Sequence, residues 1–302
     1  MGRYAVMDIG SNSLKLYAGR VVHGRVTDLD DRVVINRLAE GLAGSGELSE
    51  AAMERTIVAI KELRDHARGL DVEKVVAVGT QAMRTADNAR EFATMIRNRC
   101  KIGVKVLSGQ EEARLAFLAA ATSLPLGEGP VTVFDAGGAS TEVVAGAGGA
   151  VHEARSLPIG ARILTDRHDQ GDPITDEAFA NLAAELEKAV AELPVGSGAL
   201  VGIGSTAVSL ATVHFGVVDG RTELVHGRCL PREVVETAVT RLRGMTLSQK
   251  RRIPGLHPGR ADVMLAGAAI VAALMRRLDA DELTICHRGL RHGVFHDRFV
   301  NV

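Results

Sequence analysis

The chain has 302 residues, of which 46% are apolar, 24% are charged and 3% are aromatic, and its formal net charge at pH 7 is −1. These values are typical of a globular chain of about two domains, and they exclude a disordered, collagen-like or coiled-coil protein. The scarcity of aromatic residues and the near-neutral charge disfavour nucleic-acid binding. The longest apolar run, 263–275, has 13 residues, whereas a membrane-spanning helix needs about 20.

The first residues lead directly into a predicted strand, and three dispersed cysteines suit neither a disulfide framework nor a zinc site. We therefore expect a cytoplasmic protein with reduced cysteines and no contact with a membrane. From Arg241 onward, 11 Lys or Arg residues outnumber five Asp or Glu residues. This excess predicts either a solvated basic face or a surface that a polyanionic substrate or partner contacts.

Short β-branched runs alternate with segments of helical periodicity along the chain, which predicts an α/β fold. Ser49 and Thr175 are predicted to begin two amphipathic helices. The glycine-rich segment 124–130 is the predicted boundary and hinge between a first domain, 1–124, and a second domain, 125–302. The predicted strands cover residues 3–8, 14–20, 26–36, 74–79, 104–108, 131–135, 142–145, 151–157, 200–204 and 282–286.

An internal repeat relates residues 7–19 to residues 134–146, which align without gaps at an offset of 127. In each copy an apolar strand ends in Asp, turns through a loop rich in Gly and Ser, and returns as a second strand. The matched pairs are Asp8 with Asp135, Gly10 with Gly137, Ser13 with Ser140, and Gly19 with Gly146. The repeat predicts two similar halves that face each other across a cleft.

The repeated loop has the composition that phosphate binding requires. Small residues let successive backbone N–H groups point into one concavity, hydroxyl groups add donors, and the aspartate can hold a hydrated Mg²⁺. Two later glycine loops, GIGST and GLRHG, are further candidates, although ordinary turn chemistry accounts for them equally well. The candidate phosphate-binding residues are Gly10, Ser11, Asn12 and Ser13, then Gly137, Gly138, Ala139, Ser140 and Thr141, and finally Gly204, Ser205, Thr206 and Arg291.

Hydrolysis of a phosphoanhydride also needs positive charge on the phosphoryl oxygens and a base for the attacking water. In SGQEEAR, residues 108–114, a strand gives way to a helix whose first turn carries Glu111 and Glu112. The helix dipole favours carboxylates in this turn in any case. Arg84 follows another predicted strand and is a candidate phosphate ligand.

Together these motifs resemble the Ppx/GppA family of exopolyphosphatases and pppGpp phosphohydrolases, within the actin, Hsp70 and sugar-kinase superfamily. DIGSNS (8–13), TQAMR (80–84) and SGQEEAR match the family patterns intact. DAGGASTE (135–142), GIGST and GLRHG depart from them through Ala139, Ser205 and His292. A left-handed backbone at Ala139 would cost roughly 1–2 kcal/mol.

The resemblance implies two actin-like, ribonuclease H-like domains around a cleft. It implies hydrolytic release of the terminal phosphate from inorganic polyphosphate, or alternatively from pppGpp, with Mg²⁺ or Mn²⁺ as cofactor. Glu112 would activate the attacking water and Arg84 would grip the substrate chain. The metal would be held by Asp8, Asp135 and Glu142.

The resemblance is to the short, two-domain form of the family, which lacks the carboxyl-terminal helical domain of larger members. We therefore expect low processivity on long polyphosphate. Residues 294–302 are expected to pack onto the first domain. The sequence leaves open whether the chain forms a homodimer.

Two interpretations of other kinds stay open. A sugar kinase of the same superfamily would bind ATP with these loops, but this chain lacks the Cys/His zinc cluster of many such kinases. A non-catalytic sensor would bind pppGpp or ppGpp in the cleft without releasing phosphate, and Ala139 favours it. His292 and His296 have the HxxxH spacing of metal-binding superfamily members, a pattern that surface histidines also produce.

Overall fold

A computed structural model describes residues 2–168, 171–194 and 198–300. Within these ranges the strands are β1 (Gly2–Ile9), β2 (Ser13–Val22), β3 (Arg25–Ile35), β4 (Lys74–Gly79), β5 (Val104–Val106), β6 (Pro130–Ala136), β7 (Thr141–Ala147), β8 (Ala150–Leu157), β9 (Ala199–Ile203), β10 (Cys229–Pro231) and β11 (Glu282–Ile285). The α-helices are α1 (Leu42–Ser45), α2 (Glu50–Gly69), α3 (Gln81–Thr85), α4 (Ala89–Cys100), α5 (Gly109–Ala121), α6 (Ala161–His168), α7 (Asp176–Val190), α8 (Gly204–His214), α9 (Arg232–Arg243), α10 (Leu247–Lys250), α11 (Met264–Arg277) and α12 (Leu290–Phe299). Two short 3-10 turns lie at Thr222–Val225 and Pro258–Arg260.

The strands form two mixed sheets with the same internal order. The first sheet runs β3-β2-β1-β4-β5, with antiparallel pairs among its first three strands and parallel pairs from β1 to β4 and β5. The second sheet repeats this pattern as β8-β7-β6-β9-β11, and β10 adds an antiparallel edge to β11. This is the duplicated ribonuclease H-like α/β arrangement that the sequence predicts.

The helices follow the predicted amphipathic patterns. Ser49 caps α2 by accepting a hydrogen bond from the Ala52 amide, and Thr175 caps α7 in the same way from Ala178. The apolar stripes of both helices are buried against their sheets, so their periodicity is explained by core packing. The apolar run that the sequence analysis singled out forms α11, whose residues 264–275 are all buried in the second half.

Two helices pack across both halves. The predicted boundary, 124–130, lies between α5 and β6, but α5 already packs its apolar face against β6, β7 and β8. Conversely, α12 packs on β1 and β2 of the first sheet, where Val294 and Phe295 contact Val6 and Tyr17. Residues 301–302 of the predicted carboxyl-terminal contact lie outside the described residues.

All ten predicted strands are present. The strand that sequence reasoning missed, β10, has three residues and ends in Pro231, so it carries neither a hydrophobic alternation nor a complete set of ladder donors. Among the residues that the structure describes, no helix combines the length and apolarity needed to cross a bilayer.

Candidate active site

A polar cavity of about 50 Å³ lies where the two halves meet. Its walls include both repeated loops, Ser205 of the third glycine loop, four carboxylates and two cationic side chains. The acids are Asp8, Glu112, Asp135 and Glu142, and the cations are Lys15 and Arg260. Since one buried water needs roughly 10–15 Å³ of such volume, the cavity has room for a few waters or about one phosphoryl group.

The two repeated loops share one turn geometry. The Gly10 amide donates to the Ser13 carbonyl over 3.1 Å, and the Gly137 amide donates to the Ser140 carbonyl over 2.9 Å. A Cβ at Gly10 would lie 2.8 Å from the Ser13 oxygen, and one at Gly137 would lie 3.0 Å from the Ser140 oxygen. Only glycine fits at the start of each turn, which accounts for the matched glycines of the repeat.

The carbonyl groups of the first loop are turned away from the cavity. The Ser11 carbonyl accepts from the Ala39 amide, and the Asn12 carbonyl accepts from the amides of Asn36 and Arg37. Both amides of the loop centre, at Ser11 and Asn12, donate to no group within the described residues. The loop therefore presents unpaired N–H groups, as an anion-binding nest does.

The second loop is held in the same way by a helix. The Gly137 and Gly138 carbonyls accept from the first amides of α6, including Ala161 and Arg162. The Gly138 and Ala139 amides have no acceptor in the described part of the chain. Each half thus contributes two unpaired amides to the wall of the cavity, where they can donate to a bound anion.

The remaining predicted loop residues divide between the cavity and its supports. Ser13, Ser140 and Ser205 line the cavity. Thr141 and Thr206 are buried and donate instead to the carbonyls of Ile159 and Ala136. Thr141 therefore ties β7 to the connection between β8 and α6, and Thr206 ties the start of α8 to the end of β6.

The three departures from the family pattern do not disturb this geometry. Neither Ala139 nor Ser205 has a positive φ, so the free-energy cost of a left-handed backbone at Ala139 does not arise. The residue that needs the left-handed region is Gly204, at φ +77°, where a Cβ would also lie 2.1 Å from Asp135 Oδ1. His292 accepts a hydrogen bond at Nδ1 from the Gly289 amide over 3.0 Å and so caps α12.

Two aspartates end the central strands of the two sheets. In the first sheet Asp8 pairs in register with Lys15, and the Nζ of Lys15 lies 3.2 Å from Asp8 Oδ2. In the second sheet Asp135 pairs in register with Glu142. Burial raises the pKa of Asp135, and burial together with Asp135 raises the pKa of Glu142 to about 7. In the first half the aspartate is therefore paired with a lysine, whereas the second half carries two neighbouring acids.

Glu112 enters the cavity from the first turn of α5. Its side chain is buried, and Arg84 Nη1 lies 3.1 Å from its Oε2. Burial and the nearby Glu142 raise the pKa of Glu112 well above the ordinary range, while Arg84 opposes the shift. A carboxyl group with these properties is suited to take a proton from water near neutral pH.

Two of the predicted catalytic residues bind protein groups and do not line the cavity. Glu111 lies outside the cavity: Lys105 and the Ser108 amide bind its carboxylate, lower its pKa to about 2 and complete a capping box on α5. Arg84 does not line the cavity, because its guanidinium binds Glu112, the Leu107 carbonyl and Gln81. Its position does not show the predicted grip on a substrate chain.

Arg291 also points elsewhere. Its guanidinium makes two hydrogen bonds, of 2.7 and 2.8 Å, to the carboxylate of Asp31 on β3. Arg288 binds Asp28 of the same strand in the same manner. Two of the basic residues near the carboxyl terminus therefore form ion pairs with β3 of the first sheet.

Sequence reasoning missed Lys15 and Arg260. The repeat holds a signal for Lys15, which aligns with Glu142 at the offset of 127. Arg260 lies in a 3-10 turn outside every quoted motif; burial lowers its pKa to about 10, and its Nε has no partner in the described residues. Both cations face a cavity rich in acids, where a bound anion would pair with them.

The donor set of the cavity suits a hydrated divalent cation. Asp8 Oδ1 is buried without a hydrogen-bond partner, and four acids face only two cations. In the described ranges no three His, Cys, Asp or Glu side chains converge closely enough to enclose a bare ion, His292 and His296 included. Mg²⁺ usually keeps several waters and binds through one or two carboxylates and the substrate phosphates, so the residues present fit it.

Two similar α/β halves, with acids, cations and unpaired amides around a cavity where they meet, define a two-lobed protein whose cleft has the donor groups of an anion site. The chain belongs to the Ppx/GppA phosphatase family, whose model matches residues 18–301. It is 29% identical to exopolyphosphatase 2 of Mycobacterium tuberculosis, over 97% of each chain.

A second curated relative is the guanosine-5'-triphosphate,3'-diphosphate pyrophosphatase of Photobacterium profundum. It is 30% identical over 97% of this chain, which spans 59% of that protein. The crystal structure of the Aquifex aeolicus member of the Ppx/GppA family is 32% identical, with a TM-score of 0.83 over 99% of this chain and 98% of that one. The predicted family is thereby confirmed.

Proposed function

We propose that this chain is an exopolyphosphatase that hydrolyses the terminal phosphoanhydride of inorganic polyphosphate. The observation that carries the proposal is the position of Glu112, a buried carboxyl group in the same cavity as two loops with unpaired amides. One group can activate water while the others hold a phosphoryl group. This combination is what phosphoanhydride hydrolysis requires.

The loops and cations would bind the terminal phosphoryl group. The amides of Ser11, Asn12, Gly138 and Ala139 would donate to its oxygens, and Lys15 would add positive charge beside Asp8. These interactions stabilise the charge that spreads over the phosphoryl oxygens in the transition state. Glu112 would orient a water and accept its proton, and Arg84 would hold the Glu112 carboxylate in position.

A hydrated divalent cation would be held by one or two of the carboxylates of Asp8, Asp135 and Glu142, together with waters and the substrate phosphate. When bound, Mg²⁺ or Mn²⁺ neutralises charge on the phosphoryl oxygens. Removal of the excess negative charge would also let Glu142 stay ionised at neutral pH, since the proximity of Asp135 is one cause of its raised pKa.

Substrate entry requires the cleft to open. A Cβ at Gly138 would lie 3.1–3.2 Å from atoms of Ser11 and Asn12, so the two phosphate loops already touch. Arg37 of the first half also lies 3.3 Å from Asp262 of the second. We propose that the halves separate to admit a polyanion and close again for the reaction.

The names of the relatives support two substrates. The M. tuberculosis relative is named an exopolyphosphatase, and the P. profundum relative is named for a guanosine pentaphosphate substrate. Both substrates carry a terminal phosphoanhydride. Because this chain spans 97% of the M. tuberculosis relative but only 59% of the P. profundum relative, polyphosphate is our first choice. A non-catalytic sensor is the less favoured function, because the loop with Ala139 keeps its geometry and Glu112 is in place.

The experiment is a parallel assay of phosphate release from tripolyphosphate, long-chain polyphosphate, pppGpp and ATP. Each substrate is tested with Mg²⁺, with Mn²⁺ and with EDTA. We expect metal-dependent release from polyphosphate, with short chains favoured over long ones. Release from pppGpp alone would select the second substrate, and tight pppGpp binding without release from any substrate would select the sensor.

A further inference from the structure

Three polar side chains form a row across the second sheet. The strand registers place Glu142 directly opposite Asp135 on one side and directly opposite Ser156 on the other. Ser156 Oγ donates to Glu142 Oε1 over 2.8 Å. The hydroxyl therefore fixes one oxygen of a carboxylate that lines the cavity.

The first sheet has no such row. Its equivalent positions hold Asp8, Lys15 and then Val33, which is 49% exposed. The hydroxyl thus occurs only in the half where the middle position is an acid. In this position a serine suits a hydrogen bond to a carboxylate, while a valine suits the stem of a lysine.

Ser156 also contacts the helix that carries the base. A Cβ at Gly109, the first residue of α5, would lie 2.9 Å from Ser156 Cβ. Ser156 therefore lies between Glu142 and the helix end from which Glu112 enters the cavity.

We infer that Ser156 is a positioning residue that orients Glu142 toward a divalent cation in the cleft. The inference rests on the proposed metal role of Glu142. Groups that hydrogen-bond a ligand side chain fix its orientation, and their loss typically weakens metal affinity about 10- to 100-fold. Ser156 itself does not touch the ion or the substrate.

The test is Mn²⁺ binding to the full chain without substrate, measured by electron paramagnetic resonance. We expect Ser156→Ala to weaken Mn²⁺ binding about tenfold. Ser156→Thr retains the hydroxyl and should bind like the wild type, whereas its isostere Ser156→Val should bind like the alanine variant. Ser123→Ala, two residues after α5, removes a hydroxyl whose partners among the described residues are Ala119, Ala120 and Cys286, and it should leave binding unchanged.

The threonine and valine variants keep the test decisive if the alanine variant fails to fold. Equal Mn²⁺ affinity in the threonine and valine variants, with weak binding in Glu142→Gln, would overturn the role of Ser156 and leave the metal site intact. Failure of the wild type to bind Mn²⁺ would overturn the metal site and this inference with it. Phosphate release with EDTA present would then show whether the hydrolase itself survives.

Discussion

Replacement of Gly138 by alanine places a methyl group where the two repeated loops, 10–13 and 137–141, approach each other. The new Cβ would lie 3.1 Å from Ser11 Cβ and 3.2 Å from both Cβ and the amide nitrogen of Asn12. Gly138 has no positive φ, so the substitution adds no backbone strain. Its cost therefore falls on the closed form alone, where the loops must move apart by a few tenths of an ångström.

Overpacking of this kind costs about 1–2 kcal/mol, which lowers the equilibrium constant between the closed and open forms about 5- to 30-fold. If hydrolysis occurs only when the cleft is closed, kcat should fall by up to this factor, while the melting temperature stays unchanged. The assay is steady-state phosphate release from tripolyphosphate beside thermal unfolding. Gly103→Ala, in open space and also without positive φ, is the matched control.

An unchanged kcat in Gly138→Ala would show that the reaction does not need the loops in contact. A lower kcat accompanied by a lower melting temperature would show instead that the contact supports folding. Either result would exclude a closure step that brings the two loops onto one phosphoryl group.

Two further predictions concern charge. Arg84→Gln removes a charge that lowers the pKa of Glu112, so the acid limb of kcat against pH should move to higher pH; an unmoved limb would exclude this role for Arg84. Asp31→Asn should lower the free energy of unfolding at pH 7 by about 2 kcal/mol, because Arg291 loses a charged partner. Burial opposes ionisation of Asp31, but Arg291 and His292 outweigh it and hold its pKa below the ordinary value. The contribution is therefore complete above about pH 4 and is lost as the pH falls further, so urea titrations of the two proteins should converge in acid.

The fold was largely predictable because its signals are local. Each β-branched run became a strand, and the repeat of residues 7–19 in 134–146 predicted two matched turns that share one hydrogen-bond pattern. The position of the catalytic candidate Glu112 could also be predicted from the sequence, since a helix that begins after a strand orients its first turn toward the sheet edge.

The side-chain partners were not predictable, because they depend on residues far away in the chain. Arg291 binds Asp31, which lies 260 positions earlier, and does not line the cavity. Glu111 and Glu112 are adjacent in sequence, but one caps its helix and the other enters the cavity. Arg260 reaches the cavity from a short turn that carries no periodicity or motif.

The most direct test of the account compares Glu112→Gln with Glu111→Gln in phosphate release from tripolyphosphate. The two substitutions make the same chemical change at neighbouring positions of one helix turn. Loss of the base should lower kcat at least about 100-fold in Glu112→Gln, while Glu111→Gln keeps nearly full activity. Comparable activity in the two variants, or retention of activity in Glu112→Gln, would contradict the claim that the buried carboxyl group activates the attacking water.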